Sequence, residues 1–311
     1  MAATIRALAG RPAGLALGLL PLYDGRNLWE STLASSDRER FPEIRFEPYP
    51  GCPPLLADPI VQCLILLLVT SVFFLLFPGV DLWFSRLFVD PGHGFAVGRI
   101  PFFKVVRDIH RSATWIIPVG MLLLLVLKVA MPWRRALVEP RDFWFVLSTL
   151  AIASGVVVNL VFKNNWGRPR PFNVDVFGGD LPFVGAWHMS SYCQRNCSFV
   201  SGEASSAIWL LTLLVLVPVA WRPTATRIIL ALVAIFSLNR IAFGGHFLSD
   251  VLLSWWMSLA IILALYRFFY INTPAWLDNA RLEAQLGRTG IALHRLFRRD
   301  KTGGPKAGKA A

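Results

Sequence analysis

Six stretches of the chain are apolar for most of their length, near 59–77, 113–132, 142–162, 204–221, 226–243 and 250–270, with polar or charged residues between them. A bilayer-spanning helix needs ~20 mostly apolar residues. The pattern therefore predicts an all-α, polytopic bundle of six transmembrane helices. Ala13 to Leu22 is apolar over about half that length. Its basic flank is signal-peptide-like but no cleavage site follows, so it reads as an interfacial or loosely packed segment. Residues 23–58 mix charges of both signs with proline and read as a cytoplasmic arm. Three divisions follow: an arm at 1–58, a transmembrane domain at 59–271, and a basic tail at 272–311, partly disordered where a Gly/Lys/Ala end begins near 302.

Composition strengthens this picture. Of 311 residues, 55% are hydrophobic and 16% charged, against about a quarter charged in soluble domains. The net charge of +12 admits nucleic acid or anionic lipid as a partner. The basic residues are spread over loops, tail and one cluster, so the bilayer is the expected partner and nucleic acid is not.

Lys and Arg near span ends set orientation. Arg134, Arg135 and Arg141 follow span two, Arg222 and Arg227 follow span four, and Arg281, Arg288, Arg295, Arg298, Arg299, Lys301, Lys306 and Lys309 follow span six. These segments share one side, read as cytoplasmic, which puts both termini inside. The 78–112 connection also carries five basic residues. Its part from Pro101 to Ala113 mixes Phe102, Phe103, Val105, Val106 and Ile109 with Lys104, Arg107 and Arg111, as an interfacial amphipathic helix would. Cys193 and Cys197 lie in a polar connection and do not form a zinc pattern. They are either a disulfide outside the cytoplasm or two free thiols.

The chemistry is concentrated in three places: Lys163-Asn-Asn-Trp-Gly-Arg-Pro-Arg170-Pro171, Ser198-Phe-Val-Ser201-Gly202-Glu203-Ala-Ser205, and Asn239-Arg240-Ile-Ala-Phe-Gly-Gly-His246-Phe-Leu-Ser-Asp250. By the topology above, all three lie at the outer ends of their helices and can form one site. Lys163, Arg170 and Arg240 suit an anion, since Arg forks grip phosphate oxygens and Lys adds a point charge. Ser201 and Gly202 open a helix whose N-terminus favours negative charge. His246 and Asp250 are four apart and share a face. A carboxylate there would hold one ring nitrogen and leave the other free to attack. Taken singly, the blander readings are a snorkelling cation, a structural histidine and an extended Arg-Pro-Arg-Pro loop.

These motifs resemble those of the type 2 phosphatidic acid phosphatase (PAP2) family: K-x6-R-P, then P-S-G-H, then S-R-x5-H-x3-D. Lys163, Arg170 and Pro171 match the first; Arg240, His246 and Asp250 match the third, with Asn239 where Ser is usual. The likeness covers roughly 110–270. It implies a helical core of the vanadium chloroperoxidase-like type, with no metal or other cofactor. It also implies attack by His246 on phosphorus to give a phosphohistidine, orientation by Asp250, and phosphoryl binding by Lys163, Arg170, Arg240, Ser201 and Gly202. Water then hydrolyses the intermediate.

Val200-Ser201-Gly202-Glu203 departs from P-S-G-H. The family's histidine there protonates the leaving oxygen. Glu203 takes over that role, or His188 supplies the proton, or Glu203 pairs with an arginine and shapes the cradle. The connection from Phe172 to Cys197, carrying Trp187, His188, Tyr192 and Arg195, is the expected substrate lid. The resemblance implies a phosphorylated membrane lipid as substrate. Lipid A of a bacterial inner membrane, met at the periplasmic face, is the first choice; undecaprenyl pyrophosphate and phosphatidylglycerophosphate are alternatives. Transfer of the phosphate to another lipid stays open. The rival classes are a non-catalytic lipid-phosphate binder and a transporter.

Overall fold

The computed structural model describes residues 54–302. The Ala13–Leu22 stretch, most of the expected arm and the end of the tail from 303 lie outside the described residues. By internal contacts the chain separates into Met1–Gln62 and Cys63–Ala311, and the second unit carries the site. Among the described residues all regular elements are helical.

The principal helices are α1 (Pro59–Leu76), the short α2 (Gly79–Arg86), α3 (Pro101–Ala130), α4 (Pro140–Thr149, continuing in wider π-type turns as Leu150–Lys163), α5 (Gly202–Trp209, tightening into 3-10 turns over Leu210–Leu216), α6 (Arg222–Ala242), α7 (Leu248–Tyr266) and α8 (Asn279–Thr302). Among the described residues five helices are long and apolar enough to cross a membrane: Pro59–Leu76, Pro101–Ala130, Pro140–Lys163, Val219–Ala242 and Leu248–Ile271.

The structure differs from the expected six spans at 204–221. The apolar helix there is shorter, Gly202–Leu216, because Pro218 disfavours helical backbone at the residue before it and Val217 is extended. It differs again at Pro101–Ala113, which is the first part of the 30-residue α3 and not a separate interfacial helix.

Helix α5 is the hub, packing against α6, α7 and the second half of α4. Its residues from Ala204 to Leu210 are all buried. Small side chains allow that closeness, as in membrane bundles generally. Ser154, Ser205 and Ser258 chain their hydroxyls across α4, α5 and α7 at 2.7 Å each. Outward residues such as Leu68, Trp115, Ile116 and Leu123 are exposed, as lipid-facing positions should be.

The helices alternate so that one end collects the start of α3, the end of α4, the start of α5, the end of α6 and the start of α7. An aromatic group of Phe162, Trp166, Trp187 and Phe199 pins the connections at that end, with Trp166 stacked on Phe199 at 5.1 Å. At the other end α8 lies against α3. Lys128 donates to Glu283 at 3.1 Å and to the Arg134 carbonyl at 2.6 Å.

Candidate active site

The sequence placed eight residues in one site, and the structure gathers all of them at that end of the bundle. Lys163 closes α4, and Arg240 lies in the last turn of α6. Ser201 is the N-cap of α5: its Oγ accepts from the Ala204 N–H at 3.2 Å. Gly202 follows, and a methyl group there would stand 3.3 Å from Lys163 Nζ and 2.9 Å from Asn159 Oδ1. Gly245 does the same for the arginine, since a methyl group would come within 2.5 Å of Arg240 Nη2. A side chain at Gly245 would push Arg240 aside, and one at Gly202 would displace Asn159 and crowd Lys163.

The connection before α5 runs against the segment after α4. Cys197 N–H donates to the Lys163 carbonyl at 3.2 Å, Ser198 N–H to the Arg168 carbonyl at 2.9 Å, and Cys193 N–H to the Gly167 carbonyl at 3.1 Å. Cys193 and Cys197 form a disulfide. The small loop so closed presents the Asn196 carbonyl, to which Arg170 donates from Nε at 3.1 Å and Nη2 at 2.8 Å.

His246 is fully buried between α6 and α7. Its Nδ1 faces the Ser198 carbonyl at 2.8 Å. A carbonyl only accepts, so Nδ1 carries the proton and Nε2 keeps its lone pair. Nε2 is buried and has no hydrogen-bond partner. Burial holds the ring's pKa well below its ordinary 6.5, with Arg240, Lys163 and Arg170 pushing the same way and the Ser198 carbonyl opposing. The imidazole is neutral at pH 7.

The expected direct hydrogen bond from the His246 ring N–H to Asp250 is not present. Asp250 Oδ2 stands 3.9 Å from Nδ1, too far for one. That oxygen instead accepts from the Phe247 N–H at 2.8 Å and from the Ser198 hydroxyl. Asp250 thus reaches His246 through Ser198, whose hydroxyl it holds and whose carbonyl holds the ring. The Phe247 bond also caps α7, since Asp250 in its first turn reaches back to the N–H of the residue before the helix.

The sequence reading missed three residues. Arg168, inside the first motif but read only as loop, is fully buried. It donates from Nη1 to Asp250 Oδ1 at 2.6 Å, from Nη2 to Asp81 Oδ2 at 2.8 Å and from Nε to the Val184 carbonyl at 2.8 Å. It also lies over the Phe247 ring at 4.3 Å. Burial opposes its charge, but Asp250 and Asp81 outweigh that and raise its pKa. Asp81, on α2, had no motif to mark it. The third is Arg107 on α3, whose Nε stands 3.6 Å from Glu203 Oε1.

Glu203 also meets Arg240, Oε2 to Nε at 2.9 Å. The contact is an ion pair without hydrogen-bond alignment: Arg240 Nε, Arg107 Nε and Glu203 Oε2 are all buried and lack a hydrogen-bond partner. His188 turns its Nδ1 to the Ala186 carbonyl at 3.1 Å, within its own connection. Four cations, Lys163, Arg170, Arg240 and Arg107, thus surround one carboxylate, Glu203, beside a histidine with a free nitrogen. Burial lowers the pKa of Arg170, with Glu203 opposing and Arg107 adding to the fall. Such a cluster is short of negative charge and suits a phosphoryl group.

Comparison with known proteins agrees with this chemistry. The PAP2 superfamily model matches residues 143–274. A lipid A 4'-phosphatase of Rhizobium leguminosarum is 36% identical over 202 residues, covering 61% of this chain and 87% of the relative. One of Rhizobium etli is 36% identical over 202 residues, with 61% and 79% covered. One of Francisella tularensis subsp. novicida is 35% identical over 188 residues, with 58% and 82% covered. No solved structure matches.

Proposed function

The chain belongs to the PAP2 superfamily, and from that premise we propose that this membrane lipid phosphatase removes the 4'-phosphate of lipid A at the periplasmic face of a bacterial inner membrane, through a phosphohistidine on His246. The observation that carries the mechanism is the state of His246: a neutral ring, Nδ1–H held by the Ser198 carbonyl, and a buried Nε2 without a hydrogen-bond partner. The relatives' names carry the choice of lipid. In this reading both termini lie in the cytoplasm, which the basic segments beyond α3, α5 and α7 support.

The steps follow from the geometry. Lys163, Arg170 and Arg240, with the Ser201 hydroxyl and the Gly202 N–H, hold the phosphoryl oxygens, the Ser201 N–H being already given to the Asp250 carbonyl at 3.1 Å. Nε2 attacks phosphorus, the bond to the lipid oxygen breaks, and that oxygen leaves with the electron pair. The ring becomes a cation with Asp250 3.9 Å away. Water then attacks the phosphohistidine and frees phosphate. Glu203 is the proton donor in this reading. Arriving phosphate competes with it for Arg240, which frees the carboxyl to face the leaving oxygen and deliver its proton there.

Purified full-length protein in detergent, offered lipid A, phosphatidic acid, phosphatidylglycerophosphate and undecaprenyl pyrophosphate, tests the substrate. The expected result is phosphate release fastest from lipid A, with mass spectrometry locating the loss at the 4' position. Faster release from another lipid would reassign the substrate. Release from none would refute the enzyme reading.

A further inference from the structure

Asp81 stands apart among the buried titratable groups that do not touch the reacting atoms. It lies on α2, outside residues 143–274, and has no exposed surface. Its Oδ1 accepts from the Ser249 N–H at 2.9 Å, and its Oδ2 accepts from the Ser249 hydroxyl at 2.6 Å and from Arg168 at 2.8 Å. Arg168 gives its other terminal nitrogen to Asp250. Two carboxylates therefore share one guanidinium, and when all three are ionised the cluster carries one uncompensated negative charge. Burial raises the Asp81 carboxyl above its usual range, with Asp250 adding to the rise and Arg168 opposing it.

An excess buried charge is costly unless a partner is supplied. One carboxylate would have satisfied Arg168 electrostatically. The reaction supplies the missing partner, because His246 is neutral at rest and becomes cationic when Nε2 bonds to phosphorus and Nδ1 keeps its proton. We propose that Asp81 is a positioning residue for phosphoryl transfer: by sharing Arg168 it leaves Asp250 with net negative charge for the cationic phosphohistidine, to which Ser198 connects it. The inference rests on His246 being the nucleophile, as proposed above.

The test uses the full-length protein in detergent and any lipid on which the wild type turns over, so that a wrong substrate and a wrong role for Asp81 are told apart. Asp81→Asn removes the excess charge. Its kcat should fall about 10- to 100-fold with KM within about twofold, the scale seen when outer partners of metal-bound histidines are removed. The double variant Asp81→Asn with Arg168→Gln restores one net negative charge on Asp250 and should recover most of the loss in kcat. An unchanged kcat in Asp81→Asn would overturn the proposal. So would a double variant no faster than the single one, since a purely structural role predicts a further loss. Thermal unfolding is followed in parallel, and if Asp81→Asn and the double variant both fail to fold, Asp81 is structural and the proposal falls.

Discussion

Two clusters of arginine and carboxylate flank His246, and they are completed differently. In the inner one, Arg168, Asp81 and Asp250 are all fully buried, and the protein itself supplies short hydrogen bonds to both carboxylates. In the outer one, Glu203 lies between Arg107 and Arg240, partly exposed, with both Nε groups and a carboxylate oxygen left without aligned partners. A saturated buried network fixes geometry. An unsaturated one keeps donors in reserve, and each buried donor without a partner costs free energy that an arriving anion can relieve. The inner cluster thus sets the position of the nucleophile, and the outer one awaits the phosphate.

Breaking each cluster should separate stability from activity. Arg168→Met leaves Asp81 and Asp250 unpaired in the interior, and losing one partner of a buried ion pair costs about 3–5 kcal/mol. Thermal unfolding in detergent should show a large fall in the midpoint. Glu203→Gln takes the carboxylate from Arg240 and Arg107 but leaves the partly exposed outer cluster open to solvent ions, so the midpoint should fall by less than in Arg168→Met, while kcat falls about 100-fold or more through loss of the proton donor. A variant pair with the opposite pattern would reverse the assignment of the clusters. The smallest effect is expected at Arg170, which keeps its charge but loses its fork in Arg170→Lys. A fall in kcat/KM of about tenfold is expected, the value of one charge-assisted hydrogen bond. An unchanged kcat/KM would mean that only its charge is used.

The nucleophile and the phosphate-binding cations were legible in the sequence, but Arg168 and Asp81 of the inner cluster and Arg107 of the outer one were not. Lys163, Arg170, Arg240 and His246 announce themselves through spacing and through their place at helix ends on one side of the membrane. Arg168 sits inside the same motif, but an Arg between Gly and Pro reads as an extended loop, and no local signal tells a buried guanidinium from a solvated one. Asp81 is 169 residues from Asp250 and meets it only through tertiary packing. Arg107 was read as part of a surface segment because Pro101 to Ala113 is amphipathic, yet that segment continues into the apolar run that follows it. The direct contact of Asp250 with His246 was expected from i, i+4 spacing and from the family resemblance. That spacing brings the groups near, but Phe247 N–H and the Ser198 hydroxyl capture the carboxylate oxygen first. The fold class followed from the apolar runs. The break near Pro218 was visible as a proline, though not as the end of a helix too short to count with the other five. Helix α8 was hidden in a tail that reads as merely basic.

The proposed mechanism turns on a covalent bond between His246 and phosphorus. Wild-type protein turning over lipid A would be quenched in alkali, digested and searched by mass spectrometry for phosphate, with His246→Ala alongside. The prediction is phosphate on His246 in the wild type, and neither phosphoenzyme nor turnover in the variant, whose rate should fall by at least about 10,000-fold, the scale of losing a nucleophile. Phosphate on another residue, or phosphate release by His246→Ala at the wild-type rate, would contradict it.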